Sequence, residues 1–144
     1  MREEGKMKLN HVDHICIATK DIRKAEESFA RAFGIEAFLR YSDPDEKINV
    51  VCFRIGETVL EFMEDSTGDG ETAKFIRKKG EGIMLVSFNV DNCENALEEL
   101  KQRSVRVIDQ KPRLWKEYKR RFAFLHPAGT HGALMEVIDG EYPR

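Results

Sequence analysis

A repeat inside the chain constrains its fold more than any other feature. Residues 14–25 (HICIATKDIRKA) and residues 85–96 (LVSFNVDNCENA) are each a strand-like apolar run followed by a helix start. Further on, residues 58–63 (TVLEFM) and 133–138 (ALMEVI) are apolar strands that carry one glutamate at the same place, Glu61 and Glu136. The same order in two halves points to one supersecondary unit used twice. The repeats run over about residues 11–64 and 82–139, and a length of 144 residues suits a single domain, 1–144, made of both.

Each half reads as strand, helix, then three strands. The first half is expected to hold strands over Val12–Ala18, Ile35–Arg40, Ile48–Ile55 and Thr58–Met63, with a helix over Ile22–Phe33 that stops at Gly34. Gly56 and Glu57 make a tight hairpin turn. The second half is expected to hold strands over Ile83–Val90, Val105–Ile108, Arg121–Leu125 and Ala133–Ile138, with a helix over Cys93–Gln102. A short helix over Glu71–Lys79, ending at Gly80, bridges the halves. Asp21 in the first half, and Asp91 or Asn92 in the second, suit the N-cap position, where a short polar side chain accepts from free backbone N–H groups. Strand alternation sorts the side chains: Ile15 and Ile17 point one way, His14 and Cys16 the other. Val86, Phe88 and Val90 likewise oppose Leu85, Ser87 and Asn89. The apolar faces should pack on helices, and the mixed faces should line a cleft. The expected fold is α+β: two tandem βαβββ modules forming a curved mixed sheet around a cleft, helices outside.

Charge and cysteine content exclude several functions. Twenty-four basic against 26 acidic residues give a formal charge of −2, no support for general nucleic-acid binding. No stretch approaches the ~18 apolar residues of a membrane span. The charged start of the chain lacks the apolar core of a signal peptide. Three cysteines, an odd number without a CxxC pair, fit a reducing, cytoplasmic setting.

Four stretches carry a family resemblance. A βαβββ unit used twice, with histidine early and glutamate late, resembles the vicinal oxygen chelate superfamily, which includes glyoxalase I, methylmalonyl-CoA epimerase and bleomycin-resistance proteins. Residues 12–18 (VDHICIA), 73–83 (AKFIRKKGEGI), 123–127 (AFLHP) and 132–136 (GALME) look most like the epimerase branch. The resemblance implies a divalent metal (Co, Ni, Mn or Zn) held by one residue from the first and last strand of each repeat. By position these are His14, Glu61, residue 85 and Glu136. Position 85 is Leu85 where the epimerases carry a histidine, which leaves His14, Glu61 and Glu136 as ligands.

The resemblance further implies proton removal beside a thioester carbonyl. Glu136 matches one of the two acid/base carboxylates. The other falls at Asn49 or Val50, neither a base, and Glu46 is the nearest carboxylate that could replace it. Leu85, Ser87 and Asn49 are expected to line the substrate pocket. The segment 111–121 (KPRLWKEYKRR) holds six basic residues against one acid. Trp115 and Lys116 within it read as part of a lid over an anionic ligand such as an acyl-CoA. The expected function is thus a metal-dependent lyase or isomerase of this superfamily, most like methylmalonyl-CoA epimerase, and relatives of this kind are usually homodimers. A metal-free small-molecule-binding or resistance protein on the same scaffold is the alternative, and a lactoylglutathione lyase-like glyoxalase the third.

Overall fold

The computed structural model describes residues 6–144. Among them the elements run β1 (Val12–Ala18), α1 (Ile22–Phe33), β2 (Leu39–Asp43), β3 (Ile48–Ile55), β4 (Thr58–Asp65), α2 (Glu71–Lys79), β5 (Gly82–Asn89), α3 (Cys93–Gln102), β6 (Arg113–Trp115), β7 (Arg120–Leu125) and β8 (Leu134–Ile138). The β-α-β-β-β order occurs twice, and the class is α+β. The chain forms two compact units: residues 14–84, and residues 85–144 together with the segment ending at Asp13.

In the first unit the strand order is β2-β3-β4-β1, with β1 parallel to β4 and the other pairs antiparallel. Asp21 caps α1 by accepting from the N–H of Arg23 and Lys24, and Gly34 ends it in the left-handed region at φ 66°. One face of this sheet carries Val51, Phe53 and Phe62, and α1 packs Ile22, Ala25 and Phe29 onto it. Phe29 sits 4.7 Å from Phe53 and 5.5 Å from Phe62, ring centre to ring centre. Alternation then sends Cys16, Val50, Cys52, Glu61 and Met63 to the other face.

The second unit repeats the plan in the order β5-β8-β7-β6, with β5 parallel to β8 and the rest antiparallel. Its core joins Cys93, Ala96, Leu97 and Leu100 of α3 to Ala123 and Val137 of the sheet. Asn92, not Asp91, is the N-cap, accepting from the N–H of Asn95. Leu85, Ser87, Asn89, Glu136 and Ile138 therefore share the face turned from α3.

Two expected strands differ. Residues 35–38 are irregular: Ile35 and Ala37 pack into the α1 core, and β2 begins only at Leu39. The expected strand Val105–Ile108 is reduced to a single bridge from Val107 to Leu125. Its place beside β7 is taken by β6, which lies inside the basic segment expected to be a lid. Among the described residues no helix is long and apolar enough to cross a membrane.

Candidate active site

Register brings the first unit's polar residues together. Cys16 on β1 and Cys52 on β3 both stand opposite Glu61 on β4, so the carboxylate lies between two thiols in one row across three strands. Glu61 is 2% exposed and His14 6%. The Tyr41 hydroxyl donates to Glu61 Oε2 at 3.2 Å, and the Cys52 thiol approaches the same oxygen at 4.0 Å. His14 Nε2 lies 4.0 Å from Glu61 Oε1. Burial, with the adjacent Glu61 charge, pushes the Tyr41 phenol well above its ordinary range, and the same two causes raise the Cys52 thiol. Both stay protonated at neutral pH and act as donors.

Tyr41 and Cys52 escaped the sequence reading. Tyr41 fell just past the expected end of β2, and Cys52 meets Glu61 only through the hairpin register. The other expected residues of this unit sit elsewhere. Val50 shares Glu61's face, is buried and stands opposite Met63. Asn49 faces the helix side instead, accepting from the Ser42 hydroxyl at 2.7 Å and donating to Glu64 at 3.0 Å. Glu46 lies in the turn between β2 and β3, where its backbone N–H donates to Asp43. It is six residues from Cys52, roughly 15–20 Å along the strand direction.

In the second unit Ser87 stands directly opposite Glu136, and Glu136 opposite Phe124. Leu85 pairs with Leu134 one step along the same face. Ser87 is 0% exposed and Glu136 4%. The Ser87 hydroxyl has no hydrogen-bond partner, a state that costs a buried polar group about 1–3 kcal/mol. Trp115 is buried edge-on against Tyr118 at 4.9 Å and Tyr142 at 5.8 Å. Lys116 is exposed in a short 3-10 turn between β6 and β7.

The basic segment is a hairpin whose arginines are engaged. Arg113 pairs with Asp109 at 2.8 Å, and Arg121 with Glu94 and Asp139, both at 3.3 Å. Arg120 is wholly buried. Its Nη2 donates to Asp13 Oδ1 at 2.6 Å and its Nε to the Asp139 carbonyl at 2.9 Å, while Tyr142 stacks 4.7 Å from the guanidinium. Asn89 Nδ2 donates to the same Asp13 oxygen at 3.0 Å.

The donors present do not fit a four-ligand metal centre. Leu85 offers no lone pair. Glu61 already receives the Tyr41 hydroxyl on one oxygen and faces His14 with the other. Among the described residues no group of three His, Cys, Asp or Glu side chains is placed to hold a metal ion.

Residues 13–124 match the glyoxalase/bleomycin resistance protein/dioxygenase superfamily. The uncharacterized Bacillus subtilis protein YqjC is 30% identical over 91% of this chain and 93% of its own length. The mitochondrial methylmalonyl-CoA epimerase of Bos taurus is 28% identical over 90% of this chain and 74% of its own. A variant of Streptomyces coelicolor methylmalonyl-CoA epimerase, solved with 2-nitronate-propionyl-CoA, superposes with a TM-score of 0.87 at 26% identity, covering 94% of this chain and all of that one. Twice-used βαβββ order, a glutamate at the same place in each last strand and a matching model over residues 13–124 agree: the chain belongs to the glyoxalase/bleomycin resistance protein/dioxygenase superfamily.

Proposed function

We propose that the chain moves a proton at the carbon beside a thioester carbonyl, on an acyl-CoA of the methylmalonyl type. The supporting observation is Glu136: a carboxylate 4% exposed, at the family position, on the sheet face turned from α3 and next to a buried hydroxyl. Glu136 takes the proton from C2, the C–H electron pair spreads onto the thioester oxygen, and return of the proton completes the exchange. Apolar neighbours Leu85 and Phe124 keep water from the carboxylate. No step is routed through a metal, because the donor set does not suit one. The compartment in which this occurs is taken as cytoplasmic, and the working form as a homodimer.

A second reading, ligand binding without turnover, is favoured by Val50. The resemblance puts the second acid/base at position 49 or 50, and Val50, buried on the Glu61 face, has no group that can move a proton. Incubation with methylmalonyl-CoA in D₂O separates the two. Deuterium at C2, lost in Glu136→Gln, supports proton transfer; binding without any exchange refutes it and leaves the binding reading.

A further inference from the structure

We propose that Ser87 contacts the substrate oxygen on which negative charge develops, in the role that a metal takes when position 85 supplies a ligand. The inference rests on the thioester reading above. Four observations within the second unit carry it. Ser87 is fully buried and its hydroxyl has no partner, so a donor and its lone pairs are held ready on one sheet face. Its register partner is Glu136, and paired strands lie only about 4.8 Å apart, so one small ligand group can meet both side chains. On that face Leu85 and Leu134 are apolar on one side, and on the other Ile138 pairs with Asn89, whose amide is already engaged with Asp13; the apolar side strengthens a hydrogen bond to a charged oxygen. Leu85 itself removes the lone pair that would have bound a metal one step away.

A buried polar atom left unsatisfied demands an explanation, and a structural hydroxyl would have found a backbone carbonyl. A site awaiting an oxygen explains it. During proton transfer the C2–H bond breaks, the proton passes to Glu136, and the electron pair moves to the thioester oxygen. That oxygen accepts a hydrogen bond from Ser87 Oγ–H, which stays on serine throughout. Such a donor acts on the charge of the transition state rather than on the resting ester.

Calorimetry with 2-nitronate-propionyl-CoA, a planar anionic mimic of that charge, tests the proposal against propionyl-CoA, whose acyl group is neutral, both in EDTA. Ser87→Ala should melt no lower than wild type, lose at least tenfold in affinity for the nitronate, and change less than about threefold for propionyl-CoA. Ser87→Thr, which keeps the hydroxyl, should retain most of the nitronate affinity. Equal nitronate binding by Ser87→Ala and wild type overturns the role of Ser87 while the thioester reading stands. So does an equal loss for both ligands, or a wild-type affinity that collapses in EDTA. A wild type that binds neither thioester overturns the functional reading, and this proposal with it.

Discussion

Asp13→Ala should be among the most damaging single changes in the second unit. Asp13 is 3% exposed and neutralises Arg120, which is 0% exposed, through a 2.6 Å bond. Removing one partner of a buried ion pair leaves the other charge uncompensated, at a cost of about 3–5 kcal/mol. The Asp139 and Gly140 carbonyls still accept from the guanidinium, and Tyr142 still faces it, which favours the lower end, about 3 kcal/mol. Asn89 also loses an acceptor. For a chain of this size that corresponds to a fall of roughly 10 °C in Tm. Urea unfolding measures it directly, as a lower midpoint at unchanged slope. Replacing both partners by apolar residues, Asp13→Leu with Arg120→Met, should recover much of the loss, because no charge is then left behind. A loss under about 1 kcal/mol in Asp13→Ala, or a double variant no better than the single one, refutes the buried-charge reasoning.

Asp21→Ala removes the acceptor for two N–H groups at the start of α1 and should cost about 1 kcal/mol in denaturant unfolding; no change would mean water replaces the cap fully. Cys93 is buried, and burial with the nearby Asp139 and Glu136 charges pushes its thiol up to about 12. Iodoacetamide at pH 8 should leave it unmodified until denaturant is added, and labelling of the native protein at the unfolded rate would contradict this. Partial burial raises Asp65, but the N–H groups of Thr67, Gly68 and Ala73 and the Thr67 hydroxyl outweigh it and hold the carboxyl below its ordinary 3.8. A depressed carboxylate stabilises the fold above its unfolded value and loses that stabilisation as pH falls through the folded one. Tm should therefore drop below about pH 4 partly through Asp65, and Asp65→Asn should flatten that part of the curve. Parallel curves for the two proteins would remove Asp65 from the acid response.

Elements with clear local signals were legible in the sequence. Helices α1, α2 and α3 lie over the expected residues because a capping side chain or a terminal glycine marks their ends. The strand of residues 105–108 was misplaced because a short apolar run says nothing of its partner. Val107 makes one bridge, while the charged Arg113–Trp115 run forms the edge strand. Alternation along the strands gave the faces of His14 and Ser87, and the repeat placed Glu61 and Glu136 at matching points of β4 and β8. Tyr41 and Cys52 became visible only when register set them beside Glu61. The six basic residues of 111–121 read as a lid for an anionic ligand, because no local pattern shows that Arg120 meets a carboxylate 107 residues away.

That separation has a consequence for how the protein is made. The boundary between the compact units falls inside β1, after Asp13, so the second unit borrows its carboxylate from the beginning of the chain. On the ribosome Asp13 emerges long before Arg120, and this contact forms only once the 107 residues that separate them are out. The duplicated halves therefore cannot be cut apart at their sequence boundary: a fragment starting at β5 would carry an arginine whose counter-charge had stayed with the other piece. Closure of the second unit joins two distant stretches of sequence, and losing either Asp13 or Arg120 erases the same bond.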